Sequence, residues 1–67
     1  MFIAISHLDL DPIYKQITRQ IKNAIASGKI KKHTKLPSVR EMTNELNVSS
    51  ITVKRVYSDL ENEGYIY

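Results

Sequence analysis

Apolar residues recur at every fourth position in the first half of the chain, which is the spacing of an amphipathic helix. Asp11-Pro12 precedes this stripe. The pair predicts a helix start, because aspartate is a good N-cap and proline suits the first helical position. Ser27-Gly28 follows the stripe, and glycine adopts the left-handed conformation that ends many helices. The pattern predicts a first helix between these two pairs, with a buried face made by Ile13, Ile17, Ile21 and Ile25.

Two further helices are predicted in the second half of the chain. The first begins at Ser38-Val39-Arg40-Glu41, a capping box in which the serine hydroxyl accepts from the third amide and the glutamate reaches back. It ends near Asn47, a residue that tolerates a left-handed turn. Only Asn47 to Ser49 separate it from the third helix, which Ser49 caps and Gly64 ends. The buried stripe of the third helix comprises Val53, Val56, Tyr57 and Leu60.

The remaining segments lack a helical period. Residues 1–10 are interpreted as an arm or a short strand, because their apolar alternation fits neither well. Residues 29–37 are predicted to form a basic loop, held by Ile30 and Leu36, with at most a short strand. Tyr65-Ile66-Tyr67 indicates the start of a strand. The predicted architecture is mainly α, with three helices and one strand in a domain of residues 11–67.

The composition limits what the chain can do. Its 67 residues make one domain at most, and a domain of this size buries only about 60% of its unfolded surface. There is no cysteine, which excludes disulfides and thiolate metal sites, and His7 and His33 have no partner at ligand spacing. No apolar run is long enough for a membrane span. We therefore expect a cytoplasmic protein without catalytic activity, cofactor or metal.

The charges are distributed unevenly along the chain. The formal net charge of +3 is by itself a weak indication of nucleic-acid binding. The third helix has Lys54 and Arg55 near its start and three acids near its end, Asp59, Glu61 and Glu63. This order opposes the helix dipole, so helix stability alone does not explain it. The first predicted helix also carries a basic stripe, which consists of Lys15, Arg19 and Lys22. We interpret this stripe as a solvated surface in preference to a DNA contact.

Two short helices joined by a three-residue turn form a helix-turn-helix pattern. The second helix of such a motif enters the major groove by its N-terminal end, so only one narrow stripe faces the core. The free amides at both helix starts add partial positive charge. The pattern favours DNA binding, although short helix pairs also occur in other folds. With Val53 placed at the core, a helical wheel turns six residues outward or to the flanks: Ile51, Arg55 and Ser58, then Ser50, Thr52 and Lys54.

Several segments together resemble the GntR family of bacterial regulators: Leu36–Glu41, Leu46–Ser49, Thr52-Val53 and Leu60–Ile66. The stretch Asp11–Ile17 is similar to the opening of the YtrA-like and MocR-like branches. The resemblance implies a winged helix-turn-helix domain, with the motif at about residues 39–58 and the first wing strand at the end of the chain. It also implies a homodimer that binds a palindromic operator in double-stranded DNA. A dimerising or ligand-sensing region is then expected C-terminal to Tyr67.

The DNA contacts of that family, carried over by position, fall on Arg40, Ser50, Ile51, Thr52 and Lys54. Ser38, which caps the second helix, and Arg55, which faces outward on the wheel, complete the predicted DNA-binding set.

Three positions depart from the family pattern. Position 50 is commonly arginine, which holds guanine by two hydrogen bonds, and Ser50 cannot make that contact. Position 51 is commonly small and polar, whereas Ile51 offers only apolar contact, for example to a thymine methyl. A single exposed isoleucine is also ordinary on protein surfaces. Asn47 replaces the usual turn glycine.

The sequence therefore predicts a sequence-specific, DNA-binding regulator of transcription that acts as a repressor. Two alternatives stay open. One is a winged-helix module that binds protein instead of DNA, against which the basic, acid-free start of the third helix argues. The other is the head of a MocR-like regulator fused to an aminotransferase-like domain, although nothing in these residues performs pyridoxal chemistry.

Overall fold

The computed structural model describes residues 3–31 and 35–66, which contain three helices. α1 spans Ile13–Ala26, α2 spans Val39–Leu46 and α3 spans Ser50–Asn62. α3 packs against both of the others. No strand occurs in the described ranges, and the mainly α architecture expected from the periodicity is confirmed.

One hydrophobic core joins the three helices to the N-terminal segment. The isoleucine stripe of α1 and the apolar stripe of α3 both face it as predicted, with Ile13, Ile25 and Tyr57 half-buried at its edge. Burying an aliphatic side chain of this size contributes about 1.5–3 kcal/mol relative to leaving it in water. The buried members of the core are Ile3, Ile17, Ile21, Met42, Val53, Val56 and Leu60.

The start of α1 differs from the prediction by one residue. Pro12, and not Asp11, occupies the N-cap position, and no side chain caps this end. The carbonyl of Pro12 accepts from the amides of Lys15 and Gln16 at 3.0 and 3.2 Å. The Asp11 carboxylate instead accepts from Arg19 at 2.6 Å. The Asp11 carboxylate is thus paired with Arg19 and does not cap the helix, contrary to the prediction from its sequence position.

The predicted turn residues all adopt left-handed backbone conformations. Gly28 and Gly64 follow α1 and α3 with φ of +83° and +81°. Asn47 lies between α2 and α3 with φ 55° and ψ 46°. The three-residue turn between these helices is therefore as the sequence predicted.

The N-terminal segment lies along α1 without forming a strand. Gln20 accepts from the Ala4 amide at 2.9 Å and donates to the Ala4 carbonyl at 2.7 Å. Gln16 does the same for Ser6, at 2.9 and 3.0 Å. Ile3 is buried in the core. Two glutamines one helical turn apart thus bond the main-chain groups of Ala4 and Ser6, as a neighbouring strand would in a sheet.

The strand predicted at Tyr65-Ile66-Tyr67 is wrong for the two of these residues that the structure describes. The amide of Tyr65 donates to the carbonyl of Leu60 at 2.9 Å, so the end of α3 already uses the group that a strand ladder needs. Tyr67 lies outside the described residues.

The loop between α1 and α2 is only partly described, since residues 32–34 lie outside the described ranges and with them part of the predicted short strand. Leu36 packs against the core as expected. Ile30 is half-buried, and its amide donates to the Ala24 carbonyl at 3.1 Å.

Candidate nucleic-acid interface

A serine hydroxyl caps each helix of the helix-turn-helix. Ser38 accepts from the amide of Glu41 at 3.1 Å, and Ser49 accepts from the amide of Thr52 at 3.2 Å. Both caps were predicted. Helix geometry leaves the preceding amides of each first turn without an intrahelical acceptor. Each start therefore presents N–H groups and partial positive charge to an anion such as a phosphate.

The first turns of α3 separate a buried stripe from an exposed face. Val53 is 1% exposed, whereas Ile51 is 78% exposed. Ser50 and Lys54 are exposed as well. The structure thus brings these three predicted residues together on one face at the start of α3, and α3 has no acid before Asp59.

Thr52 differs from the other predicted contacts. It is half-buried, and its hydroxyl lies 2.9 Å from the hydroxyl of Ser49. The Thr52 hydroxyl therefore already makes one hydrogen bond within the protein. The sequence analysis did not predict this bond. The S-x-x-T spacing was the available signal, because an N-cap and the residue three positions later are neighbours.

Arg40 and Ser38 lie at the start of α2, and both are exposed. The position of α3 relative to this start is set in part by Tyr57, whose hydroxyl donates to the carbonyl of Pro37. Pro37 directly precedes the α2 cap. Burial raises the pKa of Tyr57 to about 12, because the charged phenolate is disfavoured where water is excluded. The neutral phenol is then the form that joins the two helices.

Arg55 is placed differently from the rest of the predicted set. Its guanidinium carbon lies 3.8 Å from the ring centroid of Tyr14, and one of its nitrogens donates to the Tyr14 hydroxyl at 3.1 Å. Tyr14 belongs to α1, so Arg55 is directed at the neighbouring helix. The sequence contained little indication of this contact, because predicting it requires knowing which face of α1 packs against α3.

Two of the three cations of the α1 stripe form ion pairs with acids of the same chain. Arg19 lies 2.6 Å from Asp11 and 3.5 Å from Asp9, and Lys22 lies 2.8 Å from Glu63. The hydrogen bond to Asp11 raises the pKa of Arg19, and the hydrogen bond to Glu63 raises the pKa of Lys22. Both cations thus have their charge paired within the chain, and the interpretation of the whole stripe as a solvated surface stays a prediction.

The described ranges lack two other kinds of functional feature. No group of three or more histidine, cysteine, aspartate or glutamate side chains could hold a metal ion there. None of the helices is both long and apolar enough to span a bilayer.

Comparison with known families identifies the family of this chain. The model of the family described as bacterial regulatory proteins, gntR family, matches residues 13–67. The chain belongs to this family. Membership confirms the predicted family and, with it, the predicted winged helix-turn-helix fold class.

Individual GntR proteins agree with this assignment. YdeL of Bacillus subtilis, an HTH-type transcriptional regulator, is 46% identical over 55 residues, which are 82% of this chain and 12% of YdeL. The repressor YtrA of Bacillus subtilis is 44% identical over 82% of this chain and 42% of YtrA.

A solved structure gives the same result. YtrA from Sulfolobus acidocaldarius, a GntR-family transcription factor, superposes with a TM-score of 0.89 at 44% identity. The match covers 96% of this chain and 68% of that one. The chain spans well under half the length of the curated relatives YdeL and NagR, at 12% and 23%.

Proposed function

We propose that this chain binds the major groove of double-stranded DNA through the N-terminal half of α3, as the operator-binding domain of a cytoplasmic repressor. The observation that carries the proposal is the exposed, acid-free face of Ser50, Ile51 and Lys54 at the start of α3. Buried Val53 holds that face away from the core. A helix entering the groove by its N-terminal end needs this division.

The proposed contacts divide by chemistry. Arg40 and Lys54 bind phosphate or a guanine edge, since both are exposed cations at helix starts. Ser38 and its neighbouring amides contact the backbone, because a helix N-terminus favours anions. The base-edge contacts are assigned to Ser50, Ile51 and Thr52. Thr52 would use the hydrogen-bonding capacity of its hydroxyl that the bond to Ser49 leaves free.

Arg55 is proposed in a supporting role. Its guanidinium already stacks on Tyr14 and donates to the hydroxyl of that residue. We assign it to holding α3 on α1, in place of the direct DNA contact that its outward position on the helical wheel suggested.

The assembly is proposed from the family and from known docking geometry. NagR and YtrA of Bacillus subtilis are named as repressors. A homodimer of the whole protein would bind a palindromic operator, with half-sites repeating at about 34 Å, one turn of DNA. Each copy of the chain would supply one α3 to one half-site.

Titration of labelled random-sequence duplex DNA at two salt concentrations tests the proposal. Affinity should fall steeply with salt, because bound phosphates release counterions.

Lys54→Gln should lower the slope of log affinity against log salt by about 1. Arg40→Ala should cost about 1–3 kcal/mol on a selected operator.

Lys15→Gln is the matched control, because Lys15 is an exposed lysine of α1 outside the proposed interface. It should leave the salt slope unchanged. Equal effects of Lys15→Gln and Lys54→Gln would show that the proposed contacts are wrong. Absence of DNA binding at low salt would favour the protein-interaction alternative.

A further inference from the structure

Ile51 is a large apolar side chain at a position where the surrounding groups are polar or charged. It is 78% exposed in the first turn of α3. Ser50 and Lys54 beside it are exposed as well. Among the residues that the structure describes, the other large apolar side chains with high exposure are Leu8 and Leu10, in the turn before α1. Ile51 is therefore the exposed apolar group of the proposed DNA interface.

The edges of the base pairs limit what such a side chain can contact. In the major groove the bases present hydrogen-bond donors and acceptors, and the apolar group among them is the C5-methyl of thymine. An isoleucine placed against a polar edge would remove water from that edge without supplying a hydrogen bond, which is unfavourable. Contact with the thymine methyl has no such cost and buries apolar surface on both sides.

The neighbouring side chains discriminate bases less sharply. The hydroxyl of Thr52 is already paired with that of Ser49 at 2.9 Å. Ser50 has a single hydroxyl, which can donate to or accept from several bases. Lys54 carries a compact charge on a flexible stem, which suits phosphate as well as guanine. The apolar contact is thus the most selective one that the start of α3 offers.

We propose that Ile51 is a specificity-determining residue that selects a thymine in each half-site by packing against its C5-methyl group. The inference rests on the proposed DNA function and adds to it one required base. A protein with arginine one position earlier would instead be able to select guanine by two hydrogen bonds.

Substitution of uracil for thymine tests the proposal, since deoxyuridine pairs like thymidine but lacks the methyl. The probe is the tightest duplex that the chain selects from a randomised pool, with each dT replaced in turn by dU. One dU position per half-site should weaken binding of the unaltered chain roughly three- to fivefold, the effect of losing one buried methyl-sized group. In Ile51→Ala the same dU substitution should have no effect.

Two further variants serve as controls. Ile51→Val keeps an apolar branched side chain and should retain most of the dU effect. Lys54→Gln should weaken binding to the dT and dU duplexes by the same factor, so that their ratio is preserved. Circular dichroism checks that each variant is folded.

The outcomes distinguish failure of the thymine contact from failure of the proposed DNA-binding function. If dU weakens binding equally in the unaltered chain and in Ile51→Ala, or at no position, Ile51 does not select thymine although the chain binds DNA. If the chain selects no duplex at all, the proposed DNA function fails, and the inference fails with it.

Discussion

The hydroxyl of Tyr57 joins α3 to the residue that precedes the cap of α2. A single phenol therefore helps to fix the angle at which the proposed DNA-contacting residues of the two helices lie. Its chemistry makes this contact dependent on pH, because only the neutral phenol can donate its proton to the Pro37 carbonyl.

The pKa of Tyr57, raised from an ordinary 10 to about 12 by burial, has a defined consequence for stability. A folded-state pKa above the unfolded value means that the contribution is complete below pH 10 and is lost as the pH rises towards about 12. The free energy of unfolding should therefore fall over this window more in the unaltered chain than in Tyr57→Phe. Urea unfolding at pH 7, 10 and 12 measures it.

Near neutral pH the same substitution should destabilise the fold by about 0.5–1.5 kcal/mol, through loss of the hydrogen bond. Tyr65→Phe is the control, because it removes a tyrosine hydroxyl beyond the C-terminal end of α3, where the ring centroid lies 5.5 Å from the Lys22 ammonium nitrogen. Identical pH profiles for Tyr57→Phe and the unaltered chain would contradict the assignment.

At the scale of elements, the helix ends other than the start of α1 were the most predictable features. The caps Ser38 and Ser49 and the turn residues Asn47, Gly28 and Gly64 act within their own few residues. The sequence therefore contains the cause of each. Substitutions of Asn47 test whether its left-handed backbone conformation depends on this residue alone.

Asn47→Gly should leave stability unchanged or raise it slightly, because glycine adopts φ near 55° without strain. Asn47→Ala should cost about 1–2 kcal/mol, since a Cβ without a hydrogen-bonding side chain is disfavoured in the left-handed region. Thermal unfolding of the two variants measures the difference. Equal stabilities would mean that the turn relaxes to another conformation.

Features that depend on a distant partner were not predictable in this way. Asp11 is a good cap by composition, yet Arg19 takes its carboxylate. Arg55 is outward on a helical wheel, yet Tyr14 of α1 takes its guanidinium. A wheel describes one helix at a time, and these contacts exist only after helices and N-terminal segment have packed.

The contact between Arg55 and Tyr14 predicts a variant that separates folding from DNA binding. Arg55→Gln should lower the free energy of unfolding by about 0.5–1 kcal/mol, the size of an exposed cation–π pair. The slope of log affinity against log salt should stay as in the unaltered chain, because no phosphate contact is lost. A slope reduced by about 1 would return Arg55 to the DNA interface.

At the scale of the whole molecule, the described residues share a single core and present one α3. A lone copy meets one half-site and lacks the gain in effective concentration of a linked pair, which can reach 10²–10⁴. We expect the 67-residue chain to be monomeric in dilute solution and to bind an operator with a dissociation constant of roughly micromolar or weaker.

Analytical ultracentrifugation of the 67-residue chain checks the oligomeric state, and titration with duplexes carrying one or two half-sites checks the affinity. Two half-sites should bind two copies with little cooperativity. A stable dimer at micromolar concentration would contradict this prediction and place a dimer interface within these residues.

Gln16 and Gln20 hold the N-terminal segment by its main chain alone. Such recognition is indifferent to the side chains at positions 4 and 6, both of which are exposed. Most substitutions there should be tolerated, and proline should not, because it has no amide hydrogen to donate. The same bonds should slow the exchange of the Ala4 and Ser6 amide protons with heavy water, and Gln20→Ala should release Ala4 first. Two carboxamides on a helix should thus protect two amides from isotope exchange, although neither amide belongs to a strand.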